Sequence, residues 1–260
     1  MGDFERDTAV RPRGEGVFEC EIRPDWWVVA GPNGGYIGAI IVRALEADPA
    51  LDTRPLRSIT IHYLGRPEAG PAEVHVEPDR HGRSVSFTRG RLVQAGRTLA
   101  GAVAVFAGDR DGLELDTTEP PRVPPPDEVK QLPGNPGDMP FARQLDYRPA
   151  IGGRLFSGGD QALTGGWMRF RDERPLDAAA LVALCDSWFP AVFAVVQDPL
   201  PVPTLELTVH FRAPLPRPHD WALGRYTTRL ARDGFLEESA EIYSREGELL
   251  ADSRQLGLAG

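Results

Sequence analysis

Cysteine is scarce in this 260-residue sequence. There are two, Cys20 and Cys185, too far apart to suggest a metal site. Cys185 lies in an apolar run and reads as packing. Several catalytic signatures are absent as well. The lack of a G-x-S-x-G elbow argues against a serine hydrolase of the α/β type. With no H-E-x-x-H and no paired C-x-x-C, a zinc site is not expected, and no G-x-x-x-x-G-K-[ST] phosphate loop occurs. No apolar run reaches membrane-spanning length, because Asp186 and Pro190 interrupt the best one. The opening MGDFERDTAV is charged throughout and shows no signal peptide, so a cytoplasmic location is expected. Basic charge is in deficit, with 38 acidic against 29 basic side chains. That argues against nucleic acid or an anionic membrane as the main partner, while a local basic patch for phosphates stays open. The expectation is therefore no metal, no cofactor, no nucleic-acid partner and no membrane insertion.

What the chain does have is one long apolar stretch, Leu176 to Val196. From Ala178 onward only Asp186, Ser187 and Pro190 break it. Its length, and its Ala and Leu in place of alternation, predict a buried helix with Asp177 capping the first turn. Asp186 is then a carboxylate in apolar surroundings, where an unpaired charge is costly. Pro190 has no N–H, so the carbonyl of residue 186 loses its helical partner. Two readings stay open: Asp186 ends one helix and caps a second, or it is a desolvated general base with a raised pKa.

The remainder is strand-rich, and it repeats. Gly16 to Ile22 alternates as a strand. Asn33 then caps a helix in which Ile37, Ile40, Ile41, Ala44 and Leu45 fall at helical spacing. Gly34 and Gly35 in its first turn cost roughly 1 kcal/mol each relative to alanine. Either a neighbour packs closely there, or their amides face a ligand carbonyl or anion. Strand-like runs follow at 56–64, 72–77, 85–93 and 97–106. Residues 109–140 hold eight prolines and read as a linker. Beyond it come strand-like segments near 143–148 and 166–171, the apolar helix, and runs at 204–211, 221–230, 236–244 and 249–258. Ile59-Thr60-Ile61-His62-Tyr63 lies over Leu207-Thr208-Val209-His210-Phe211, Gly82 over Gly234, and Gly96 to Ala100 over Gly247 to Ala251. A tandem duplication accounts for this order and spacing. The layout is α+β, in units 1–108 and 141–260. His62 and His210 recur in both copies, which favours a structural over a catalytic role.

The helix-plus-meander unit, its duplication, and the run RSITIHYLGRP (Arg57 to Pro67) followed by Gly82-Arg83-Ser84 resemble the bacterial type-II acyl-CoA thioesterases. The resemblance covers most of the chain outside the linker. It implies a double hotdog, in which each half wraps an antiparallel sheet around a central helix. It implies an acyl-CoA or other acyl-thioester substrate, and hydrolysis by water held on three residues. Asp186 in LCDSWFP, Thr204 in PTLELTVHF and Gln255 in DSRQLGLAG match the family's Asp, Thr and Gln. Gly34, Gly35 and Tyr36 would contact substrate, Tyr36 standing where glutamine is common in that family.

The repeat tests these positions from the residues alone. It sets Gln255 over Ala104, and the first helix carries no acid before Glu46, so polar groups occur in one copy only. On the last strand Leu249, Ala251, Ser253 and Gln255 share a face suited to lie against the helix. Strict alternation instead puts Thr204 with Glu206, Thr208 and His210, on the face opposite Leu207, Val209 and Phe211. Two rivals stay open: a non-catalytic acyl-thioester binding protein, and an enoyl-thioester hydratase echoed faintly by Ser157-Gly158-Gly159-Asp160. Exposed sheet edges and the Trp26-Trp27 pair point to a homodimer or higher homo-oligomer.

Overall fold

The computed structural model describes residues 3–49, 54–132 and 139–260. The first half holds α1 (Phe4–Thr8), β1 (Arg11–Gly14), β2 (Val17–Ile22), α2 (Gly34–Ala47), β3 (Leu56–Tyr63), β4 (Gly70–His81), β5 (Val85–Gln94) and β6 (Arg97–Ala107). The second holds β7 (Leu145–Gly152), β8 (Leu163–Phe170), α3 (Ala178–Cys185), β9 (Thr204–Phe211), β10 (Ala222–Thr227), β11 (Ala231–Arg232), β12 (Phe235–Tyr243) and β13 (Leu249–Leu258).

Among the described residues these strands form one antiparallel sheet, ordered β1-β2-β4-β5-β6-β3-β9-β13-β12-β10-β8-β7, with β11 beside β12. The order mirrors itself about the β3–β9 seam, where Thr60 pairs with its own repeat counterpart Thr208, their hydroxyls 2.9 Å apart. A local two-fold axis therefore passes between the two threonines. The helix α2 lies on β3, β4 and β5, α3 lies on β9, β12 and β13, and the helices pack on each other. Their apolar faces and the inward positions of both half-sheets form one shared core. This is the double hotdog that the resemblance implied.

Leu176 to Val196 is not one helix. The α-helix α3 ends at Cys185, Asp186 is its C-cap, and a 3-10 turn at Ala191–Ala194 follows Pro190. Contacts at the helix end and Pro190 explain the stop. The last carbonyls are capped from elsewhere: Leu184 O accepts the Ser187 hydroxyl at 3.0 Å and the Tyr226 hydroxyl at 2.5 Å. Pro190, which has no N–H to give, begins a new turn.

Residues 109–125 form no helix or strand, and 133–138 of the expected linker lie outside the described residues. From Val123 to Val129 the chain covers an apolar patch of Trp167, Trp221, Leu223 and Tyr243 on the second half-sheet. Trp167 Nε1 donates to Pro124 O, and Arg148 donates to the carbonyls of Pro126 and Val129. Trp26, expected at a self-association surface, is instead 1% exposed. It stacks on Tyr36 and donates its indole N–H to Asp7. His62 and His210 are exposed on the sheet face away from the core, His210 lying 3.7 Å from Asp252.

Candidate active site

The N-terminal turn of α2 meets the C-terminal end of α3, and glycine is what allows it. A Cβ on Gly35 would lie 2.9 Å from Ala183 Cα and from Val182 O, and one on Gly38 would lie 2.7 Å from a Val182 methyl. The first turn of α2 is capped by Asn33, whose Oδ1 accepts the Tyr36 N–H at 2.9 Å. The same side chain turns its Nδ2 outward onto Asp186, bonding its carbonyl at 2.8 Å and its Oδ2 at 3.0 Å. Gly35 N–H donates to Oδ2 at 2.8 Å. A carboxylate at the end of α3 thus sits on the positive end of α2.

Close packing and amide contact therefore coexist at the glycines, and the amide partner at Gly35 is Asp186 rather than a ligand. That N–H is engaged within the protein. Gly34 is half-buried; its carbonyl accepts the Tyr63 hydroxyl at 2.9 Å, and a Cβ there would come within 3.0 Å of Asp186 Oδ2. Tyr36 lies in the core. Its side chain is 0% exposed; its hydroxyl accepts Arg23 N–H and points its one proton at Asp7 O, 3.0 Å away, with Glu21 O at 3.3 Å.

Burial dominates the electrostatics of Asp186 and pushes its carboxyl up to about 6. The Gly35 N–H, the Gln255 amide, Asn33 and the Gly34 N–H pull the other way and keep the rise moderate. The residue as a whole is only half-buried.

Gln255, 8% exposed, faces Asp186 from β13. Its Oε1 accepts the Thr204 hydroxyl at 2.8 Å, so Thr204 points inward, against strict alternation. The reason is a β-bulge. Opposite the step Leu256 to Gly257 on β13, β9 moves two residues, Glu206 to Thr204, and Leu205 is the extra one. The bulge turns Thr204 onto the face of Leu207 and Gln255.

Sequence reasoning missed three neighbours. Asn33 reads only as a helix cap. Tyr63 ends β3 with its hydroxyl on Gly34, and burial, with Asp186 beside it, raises that hydroxyl well above its usual range. Glu238 is 5% exposed on β12, with Oε2 accepting Ala191 N–H and Oε1 accepting Gln255 Nε2 at 3.3 Å. Burial pushes its carboxyl up to about 8; the Ala191 N–H opposes this and the Asp186 charge adds to it. The signal was present: Glu238 takes the inward phase of Leu236, Ala240 and Ile242, where an acid is costly.

Strand register confirms the asymmetry between the halves. Gln255 lies opposite Leu207 as Ala104 lies opposite Ile59, and Glu238 opposite Gln255 as Thr88 opposite Ala104. The first half offers an alanine and a threonine where the second offers an amide and an acid. An open groove of about 630 Å³ lies elsewhere, lined by Arg11, Arg13, Glu19 and Glu73 among others. Its charges are partly paired, Arg13 with Glu19 at 2.7 Å, and it includes none of the residues around Asp186. Among the described residues no cluster of three or more His, Cys, Asp or Glu is placed to hold a metal, and no helix is long and apolar enough to cross a membrane. A half-buried carboxylate of raised pKa beside an oriented amide is suited to taking a proton from water.

Comparison with known proteins bears on this geometry. Residues 23–107 match the acyl-CoA thioesterase N-terminal domain family, and residues 120–259 the acyl-CoA thioesterase C-terminal domain family. A hot dog fold protein of unknown function from Alicyclobacillus acidocaldarius is 28% identical, with a TM-score of 0.91 over 99% of this chain and 97% of that one. A candidate thioesterase II from Thermobifida fusca is 26% identical, with a TM-score of 0.85 over 100% and 98%. An acyl-CoA thioesterase II from Mycobacterium marinum, 22% identical, shares the fold with a TM-score of 0.78 over 99% and 98%. A search of curated proteins found no match. With both halves matched in order, the chain belongs to the acyl-CoA thioesterase family and is a thioester hydrolase.

Proposed function

We propose that the substrate is an acyl-CoA and that the second half hydrolyses it by general-base activation of water. The observation that carries this is Asp186, held on Oδ2 by Gly35 and Asn33 beside a Gln255 amide that Thr204 anchors. In this reading the unit 141–260 carries the chemistry. The unit 1–108 supplies the helix end that holds the base, and 109–140 joins them. Asp186 Oδ1 takes a proton as the water oxygen bonds to the thioester carbon. The resulting oxyanion faces the N-terminus of α2, whose positive dipole end stabilises it. Collapse breaks the carbon–sulfur bond, and the proton held on Asp186 passes to the thiolate. The products are a carboxylic acid and the CoA thiol.

Free-thiol detection over a panel of acyl-CoA chain lengths tests the proposal. Turnover supports it, and saturable acyl-CoA binding without thiol release would make the protein a binding module. The base must be ionised to act, and its carboxyl stands near 6. The kcat/KM profile is therefore expected to rise with pH and level off above an apparent pKa of about 6. A profile flat from pH 5 to 8 would remove Asp186 as the base. Thr204→Val deletes the donor on Gln255 Oε1 while keeping the side chain's shape. It is expected to lower kcat by roughly 3- to 10-fold, the worth of one hydrogen bond, with little change in melting temperature.

A further inference from the structure

Hydrolysis as set out above makes no use of one buried acid at the site. Glu238 is enclosed on the inward face of β12, and both of its oxygens are bonded, Oε2 to Ala191 N–H and Oε1 to the Gln255 amide nitrogen. Ala191 opens the 3-10 turn that follows Asp186 and Pro190, so Glu238 touches both the segment that carries the base and the amide that faces it. The other end of that amide, Oε1, takes the Thr204 hydroxyl.

These contacts are not equivalent. A threonine hydroxyl can donate or accept, so Thr204 alone would tolerate the Gln255 amide in either of its two flipped orientations. Above a pH of about 8, where its carboxyl is ionised, Glu238 only accepts, so the flip would set the Gln255 oxygen against the Glu238 oxygen. In the orientation seen, one N–H of Gln255 is spent on Glu238, and the amide lies against the Asp186 carboxylate. Thr88, at the matching place in the first half, bonds the Glu77 carbonyl and faces Ala104, which has no amide to orient. An acid at this strand position occurs only where there is a glutamine to hold.

We propose that Glu238 is a positioning residue for thioester hydrolysis, fixing the Gln255 amide so that its second N–H faces the water shared with Asp186. The inference rests on the general-base reading above, and it assigns Glu238 no contact with substrate.

Two variants and two readouts test it. Glu238→Gln keeps the shape but offers one acceptor oxygen where Ala191 N–H and Gln255 both need one, and Glu238→Leu offers none. In protein labelled with 15N-glutamine, the wild-type Gln255 side-chain amide is expected to exchange slowly with solvent. In both variants that protection should fall at least about tenfold, by loss of one buried hydrogen bond. The amides of the other glutamines report whether the fold is intact. In acyl-CoA hydrolysis both variants should lose about tenfold or more in kcat with KM within about twofold, because the orientation matters to the transition state and not to binding. Gln255 protection equal to wild type in the folded variants would overturn the proposal whatever happens to kcat, as would unchanged kcat in an active enzyme. A wild type that releases no thiol, yet loses Gln255 protection in both variants, would sink the hydrolase reading and still support the hold of Glu238 on Gln255.

Discussion

Asp186→Asn is expected to lower kcat for acyl-CoA hydrolysis by about 10²–10⁴-fold, the usual worth of a positioned general base. Asparagine keeps an oxygen for the Gly35 and Asn33 donors that now bond Oδ2, so the helix contact survives. The variant should not be destabilised at pH 8, and the sign follows from linkage. A carboxyl whose folded pKa is raised, here to about 6, binds its proton more tightly folded than unfolded. Its ionisation therefore weakens the fold as pH rises from the ordinary carboxylate value toward about 6, and the cost stays constant above that. Asparagine never meets that cost. Thermal melts at pH 8 should accordingly place Asp186→Asn at or above the wild type while thiol release collapses. Loss of activity together with a lowered melting temperature would instead mark Asp186 as a structural residue.

Gly35→Ala is expected to damage the fold strongly. The new Cβ would meet Ala183 Cα and Val182 O at 2.9 Å and Ala183 O at 3.0 Å, all of them backbone of α3. Backbone cannot rotate away, so the helices must separate. The cost is about 3 kcal/mol or more, a fall in melting temperature of roughly 6–12 °C. Separation also draws the Gly35 N–H off Asp186, so kcat/KM should fall in whatever fraction stays folded. Gly34→Ala makes a useful contrast. Its Cβ meets only side chains, Asp186 Oδ2 and the Tyr63 ring at 3.0 Å, so it should disturb activity more than stability. Differential scanning calorimetry of both variants decides the matter. A Gly35→Ala protein melting within 2 °C of wild type, against that roughly 6–12 °C fall, would show that the helix contact is not as tight as the geometry requires.

The repeat was readable because it is written in strand phase and turn glycines. Thr60 over Thr208 in the sequence became Thr60 beside Thr208 across the seam. The Asn33 cap was equally plain, since it depends on residues three apart. A helix ending at Asp186 was one open reading of the apolar run 176–196; what composition could not show was the contact at that end, Tyr226 from a distant strand bonding Leu184 O. Thr204 eluded alternation for a similar reason. A one-residue bulge inverts the phase of everything beyond it, and nothing in PTLELTVHF marks Leu205 as the extra residue. The place of Tyr36 in the chain, beside two glycines at a helix start, likewise said nothing about Trp26 and Asp7 closing over it. Glu238 could have been found: an acid in the inward phase of a strand, paired in register with the expected glutamine, is costly unless partnered.

The central claim, that Asp186 is a base acting on water and not a nucleophile, is tested most directly by one turnover in H₂¹⁸O. With enzyme in excess over acyl-CoA, the acid product and the peptide containing Asp186 would each be weighed by mass spectrometry. The general-base account places one heavy oxygen in the released acid and none in the Asp186 carboxyl. Heavy oxygen in the Asp186 peptide would reveal an acyl-enzyme anhydride and contradict it.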